Sequence, residues 1–338
     1  MKIVVTHSSP DMDAITSVWL IRKFLPGWEN AIVKFVPAGE RIASSKFKVQ
    51  SSKLEDPIEK IGDDDVIHVD TGLGPLDHHQ TVSDNVCGAS LTWEYVKKIQ
   101  NSEFKIQNDK IKSKIEAIDR MVKVVVDIDH FKEVFWPDAT SDYHEFSVGS
   151  TLDGLKLAKP NQDKYYVDFV SDCLDAILHE FENRIWAEKE IATNGKKFET
   201  RFGKGIGFET INDSVIKLAQ KMGYVIVVRK DPRKGYVRIK ALPNKGRGPA
   251  TSFPPASAPL TSSKMRAVGS PSSRVTPRAK HVDINLTLAY EKLRKMDPEA
   301  TWFLHISKKM LLNGSVKNPK MSPTRLGLGE IIRVLEKI

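Results

Sequence analysis

Cysteine is nearly absent: Cys87 and Cys173 are the only two in 338 residues. Two thiols cannot build a disulfide framework or a cysteine-based zinc site, so a reducing, intracellular (cytoplasmic) setting is the expectation. Long apolar runs are missing as well. No stretch approaches the ~18–20 residues that span a bilayer, so no membrane partner is expected. The opening Met1-Lys2-Ile3-Val4-Val5-Thr6-His7 has none of the apolar core of a secretory signal. Acidic residues vanish from one segment. Residues 245–280 hold seven basic residues, six prolines, seven serines and three glycines, and no Asp or Glu. Such a stretch buries too little apolar surface to offset chain entropy, and it is expected to be a disordered insertion.

The remainder has a globular balance, with 40% hydrophobic and 28% charged residues, and the length suits about two domains. The formal net charge of +9 invites a nucleic-acid partner. Seven of those nine positive charges fall in 245–280, however, so the rest of the chain carries only about +2. Bulk charge therefore says little about the folded body.

The first 130 residues alternate strand-like and helix-like pattern. Lys2–Thr6, Ala31–Val36 and Asp65–Asp70 read as strands. Asp13–Phe24, Ala89–Ile99 and Ile111–Val126 carry apolar residues at helical spacing. That alternation predicts an α/β fold with a parallel sheet covered by helices on both faces. Three regions are expected: a first α/β domain over 1–148, a helical connector over 149–194, and a smaller C-terminal α/β domain over 195–338 interrupted at 245–280.

Histidine and aspartate cluster near the start: His7, Asp11, Asp13, His68, Asp70, Asp77, His78 and His79. His7 follows the first strand and Asp70 closes the third, and ligands of open α/β sheets collect at the carboxyl ends of strands. The turn Gly72-Leu73-Gly74-Pro75 returns Asp77-His78-His79 towards the same edge. Each piece also has a plain structural reading. Asp11 and Asp13 after Ser9-Pro10 make a good helix start, and acids there favour the helix dipole. A lone histidine at a strand end is commonly structural. Four independent coincidences at one edge nevertheless favour a metal site.

The series His7-Ser-Ser-Pro-Asp11-Met-Asp13, Val-Asp70 and Asp77-His78-His79 resembles the DHH phosphoesterase superfamily. Asp77-His78-His79-Gln80, Gly88-Ala89-Ser90-Leu91, Phe303-Leu304-His305-Ile306-Ser307, Asn313-Gly314-Ser315 and Thr324-Arg325 are most similar to its melanocyte-proliferating-gene (MYG) type exonucleases. The resemblance covers nearly the whole chain except 245–280. The first motif has the plainer Asp-x-Asp form of the wider superfamily.

The resemblance implies two divalent metal ions, Mn²⁺ first and Mg²⁺ second, activating a water for phosphodiester hydrolysis. It implies His7, Asp11 and Asp70 at one ion and Asp13, Asp70 and His78 at the other. Catalytic roles fall to His79, at the scissile phosphate, and to Asp77. A further ligand is expected in Val124-Val-Val-Asp127-Ile-Asp129-His130, either Asp127 or Asp129, with Asp127 slightly preferred. His68, two residues before Asp70, is read as supporting the site from the same strand face, with strand packing as the alternative. His305, Ser307, Asn313, Gly314 and Arg325 are the candidate substrate-binding residues.

The expected activity is exonucleolytic release of nucleoside monophosphates from short single-stranded RNA or DNA, with a homodimer compatible. Alternatives are a pyrophosphatase or another hydrolase of small phosphoanhydrides or cyclic dinucleotides, and a non-catalytic nucleic-acid-binding protein.

Overall fold

The structure is a computed structural model and describes residues 1–42, 56–103, 109–244, 283–315 and 317–338. The expected insertion at 245–280 lies outside these. The described residues form two mixed sheets and eight α-helices, an α/β fold.

In the first unit, Met1–Trp186, β1 (Lys2–His7) is followed by α1 (Met12–Phe24), β2 (Ile32–Val36), β3 (Ile58–Ile61) and β4 (Asp64–His68). Four more helices follow: α2 (Gly88–Glu103), α3 (Asp109–Asp129), α4 (Val148–Ala158) and the long α5 (Asp163–Thr193). The sheet order is β2-β1-β4-β3. β1 pairs parallel with β2 and with β4, whereas β3 runs antiparallel to β4. The expected all-parallel sheet is thus corrected to a mixed one. β3 follows too short a connection to β4 for a crossover helix, since Gly62 and Asp63 alone separate them, and it adds as a hairpin edge.

Alternation along the strands splits the two faces. Val4 and Ile67, with Val69, join a core with Ile15, Trp19, Trp93, Ile118, Val125 and Leu174 from the helices. Ile3, Val5 and Val66 point to the other face, where Val36, Ile42 and Ile61 pack on them. No helix among the described residues joins that second cluster, so helices cover one face here, not both as expected.

Apolar residues of α5 such as Tyr166, Val170, Leu174 and Leu178 are buried in this same core. Residues 149–186 therefore belong with the first unit instead of forming a separate connector, and the boundary falls inside α5.

The second unit, Ala187–Ile338, contains β5 (Lys196–Thr200), β6 (Gly203–Glu209), α6 (Ser214–Lys221), β7 (Ile226–Lys230), β8 (Val237–Ala241), α7 (Thr287–Met296), β9 (Phe303–Leu304), β10 (Met310–Asn313) and α8 (Leu328–Glu336). Its sheet order is β5-β6-β7-β8-β10-β9, with only β6–β7 parallel. Ile226, Val228 and Ile239 pack under α7 and α8, while Ile206, Phe208 and Val227 pack under α6 and the end of α5.

Candidate metal centre

Three turns of backbone create the site. Asp11 caps α1, its Oδ1 accepting the Ala14 amide at 3.0 Å. The capping role and a place in the cluster are compatible, because the other oxygen, Oδ2, lies 3.8 Å from His7 Nε2. Asp70 has a positive φ of 50°, a left-handed conformation that Asp tolerates better than most residues. The strand alternation therefore breaks before Asp70, and its carboxylate turns to the helix-covered side. His79 and His78 arrive on a turn held by Asp77. That carboxylate accepts the Leu73 amide at 2.7 Å and the His79 amide at 3.0 Å, and faces His79 Nδ1 at 2.7 Å.

The resulting cluster centres on Asp70. His7 Nε2 is 3.4 Å from its Oδ2, and His78 Nε2 is 3.5 Å from its Oδ1. His78 Nε2 also lies 3.6 Å from Asp129 Oδ2 and 3.7 Å from Asp13 Oδ2. Three donor sets each converge within 4.8 Å: His7, Asp11 and Asp70; Asp70, His78 and His79; and His78, Asp129 and His130. These separations exceed hydrogen-bond length and match the spacing of ligands that share an ion about 2.1 Å away.

Electrostatics follow from burial without partners. Asp70 Oδ1 and Asp129 Oδ2 are buried and accept no hydrogen bond. Burial, then the neighbouring Asp11 charge, pushes the Asp70 carboxyl up to about 8. Asp13 is also raised well above the usual carboxylate range, by burial and then by Asp70. Burial raises Asp129 as well, against the pull of His78. His78 is lowered, chiefly by burial. Asp77 goes the other way, because the donors from His79 and Leu73 outweigh its burial. A divalent ion fits this donor set: it would supply the positive charge that the orphaned carboxylate oxygens lack.

Gly88 is built for this centre. A β-carbon there would stand 2.9 Å from Asp70 Cβ and 3.0 Å from Asp13 Oδ2. The Gly88 and Ala89 amides, at the start of α2, both donate to the Asp13 carboxylate at 2.7 Å. Each Asp13 oxygen so spends one lone pair on α2 and keeps another. Asp13 is thus both a tie between two helix starts and a neighbour of His78.

Several expectations are corrected. Asp129, not the preferred Asp127, reaches His78; Asp127 lines a different surface with Asn85, Trp93 and Lys123, because two residues along a helix turn a side chain by about 200°. His68 does not support the site. It faces Glu59 at 3.1 Å, Arg41 at 3.3 Å and the Ile42 amide at 3.3 Å, and burial followed by the Arg41 charge lowers it to about 4. The alternation argument fails because Asp70 has left the strand. His130 was not anticipated; its adjacency to Asp129 was the available signal.

The C-terminal candidates fall into two groups, His305 with Ser307 at the β9–β10 turn, and Asn313, Gly314 and Arg325 around the far end of β10, where Asn313 holds the Thr324 amide. The β9–β10 hairpin pairs His305 with Met310, next to the turn where His305 Nδ1 contacts Ser307 Oγ at 2.8 Å. Asn313 lies three residues further along β10, roughly 10 Å away. Asn313 is fully buried and spent: it donates to the Thr301 and Ser322 carbonyls and accepts the Thr324 amide. Gly314, at φ 74°, leaves space for the Tyr236 ring, which a β-carbon would strike. The Arg325 amide is held by Asp297, and its side chain is exposed.

No family model matches the chain, and no curated protein does. Two chains match among solved structures. One belongs to the crystal structure of an uncharacterized protein from Helicobacter pylori G27, with 14% identity, 72% of this chain and 86% of that chain covered, and a TM-score of 0.22. A likeness at that level carries no argument.

Proposed function

We propose that this protein is a divalent-metal-dependent phosphodiesterase of the DHH type, trimming short single-stranded RNA or DNA to nucleoside monophosphates inside the cell. The observation that carries this reading is the pair of buried, unpartnered carboxylate oxygens, Asp70 Oδ1 and Asp129 Oδ2, on either side of His78 Nε2. Uncompensated buried acceptors are costly, and a bound cation relieves that cost.

His7, Asp11 and Asp70 would hold one ion, and His78 with Asp70 and Asp129 a second, with Asp70 shared. Bound Mn²⁺ or Mg²⁺ supplies a water acidic enough to ionise near neutrality and charge to balance phosphoryl oxygens. The chain's own residues do the rest. Asp77 accepts from His79 Nδ1–H, which fixes the ring so that in its protonated form His79 presents Nε2–H to a phosphate or leaving oxygen. Asp13 locks the starts of α1 and α2 together and so fixes the wall behind Asp70.

The test incubates the protein and Asp70→Asn with Mn²⁺ and, separately, end-labelled short RNA, short DNA and pyrophosphate. Stepwise mononucleotide release by the wild type alone supports the reading. Hydrolysis of pyrophosphate alone, or of nothing, overturns it.

A further inference from the structure

The near-neutral charge outside 245–280 hides a division between the two units. Met1–Trp186 holds 22 Lys and Arg against 31 Asp and Glu, whereas Ala187–Ile338 without 245–280 holds 23 against 12. The second unit is therefore strongly cationic, at +11, and suits a polyanionic partner. Its sheet offers that partner a face. Along β8, Val237, Ile239 and Ala241 are buried with residues of α7 and α8, so Arg238 and Lys240 point to the opposite face. Cross-strand partners share a face. Arg238 stands opposite Leu312 of β10, and Leu312 opposite Phe303 of β9, while Lys240 stands opposite Met310.

On this face Val227 of β7 is buried with α6 and the end of α5. Beyond it, Met310, Leu312 and Phe303 join none of the buried clusters among the described residues, and Phe303 is 48% exposed. An aromatic ring half in water on an apolar floor is a surface for another flat group. Tyr236 adds a second ring. It lies against Gly314, one pair beyond Val237 and Asn313, where no β-carbon holds it off. The cations on the face outnumber the anions. Arg229 and Arg238 stand directly opposite each other on β7 and β8 and share the single carboxylate of Asp213. One positive charge is left over, and Lys240 adds another.

We propose that the open face of β8, β10 and β9 binds single-stranded nucleic acid, with Phe303 and Tyr236 stacking on bases and Arg238 and Lys240 on the phosphate chain. A single strand is the polyanion that fits, because its bases present their aromatic faces, whereas a duplex keeps them stacked inside. The proposal rests on the phosphodiesterase reading only for the fate of the strand, and holding the strand needs no metal.

The test follows the fluorescence anisotropy of a labelled oligothymidylate about 12 nucleotides long, within the range of single-strand sites, titrated with the full chain in EDTA. The wild type should bind it about tenfold or more tighter than a duplex of equal length or polyglutamate, with affinity falling steeply as salt rises. Phe303→Leu keeps the apolar bulk and every charge. It should weaken binding roughly fivefold or more, the scale of one stacked base, while Phe303→Trp retains affinity. Lys240→Glu should weaken binding clearly more than Lys295→Glu, which makes the same charge change at an exposed position of α7. Binding of duplex or polyglutamate as tight as that of the single strand, wild-type affinity in Phe303→Leu, or equal losses in the two lysine variants would overturn the platform. No single-strand binding, with Mn²⁺-dependent trimming intact, would likewise overturn it, yet leave the phosphodiesterase standing. The expected binding pattern with no hydrolysis of any substrate would keep the platform and remove the phosphodiesterase.

Discussion

Gly88 stands so close to Asp70 that a β-carbon on it would come within 2.9 Å of Asp70 Cβ and 3.2 Å of its Oδ1. The start of α2 is thus packed directly against the central carboxylate, so a β-carbon at position 88 forces one of the two to shift.

Substituting Gly88→Ala should accordingly move Asp70 and weaken Mn²⁺ binding by roughly 10–100-fold, the scale typical of residues that orient ligands. Calorimetric titration with Mn²⁺ checks this, with a thermal melt to show that the variant is folded. Wild-type affinity in a folded Gly88→Ala would exclude Asp70 as a ligand.

The raised Asp70 carboxyl makes a statement about pH. Its native value of about 8 lies above the ordinary 3.8, so its contribution to stability is complete below about pH 4 and is lost as pH rises towards 8. Asp13 and Asp129 shift in the same direction. His68, lowered to about 4, acts oppositely but only below its ordinary 6.5. Between pH 6.5 and 8, metal-free protein should therefore lose stability, by up to about 1.4 kcal/mol per pH unit for each proton involved. Mn²⁺ should restore more at pH 8 than at 6.5, and Asp70→Asn should flatten the slope. Melting temperatures across that range in EDTA and in Mn²⁺ would show it; a metal-free protein that gains stability over this window contradicts the assignment.

Asp127 and Asp129 separate cleanly. Asp129→Ala should lose Mn²⁺ affinity by at least about tenfold, whereas Asp127→Ala, which faces a different surface, should bind as wild type does. Parallel titrations of the two variants decide the matter, and the reverse order would sink the placement of Asp129.

Asp77 is buried and orients His79, which remains largely exposed with its side chain 58% accessible. In Asp77→Asn the ring loses its charged acceptor. Hydrolysis of short RNA should slow by roughly 10²-fold, on the scale of a general acid–base contribution, with Mn²⁺ affinity changed little. Equal losses in metal binding and turnover would make Asp77 a residue of the fold and not of the reaction.

Asn313→Ala tests the structural reading of a residue first expected to grip substrate. Three backbone groups would lose their partner, so urea unfolding should show a loss of about 1–3 kcal/mol. Mn²⁺ titration should be unaffected. Preserved stability with weakened substrate binding would return Asn313 to the substrate side.

The sequence by itself determined much of the first unit. The β-branched run in Lys2–Thr6 and the helical spacing in Asp13–Phe24 locate β1 and α1 to within a residue or two, because a strand buried on both faces leaves a continuous apolar run and a packed helix leaves its own period. The residues His7, Asp11, Asp70 and His78 were legible for a different reason: strand ends in an α/β sheet share an edge, so local position already implies proximity. Only the tertiary structure decided what depends on angles and on distant partners. The left-handed turn at Asp70 removed His68 from the site. Helical rotation chose Asp129 over Asp127. The short β3–β4 connection made the sheet mixed, and the β9–β10 hairpin carried His305 and Asn313 apart. None of these leaves a periodic mark in sequence, since each is set by one backbone dihedral or by a contact between residues far apart along the chain.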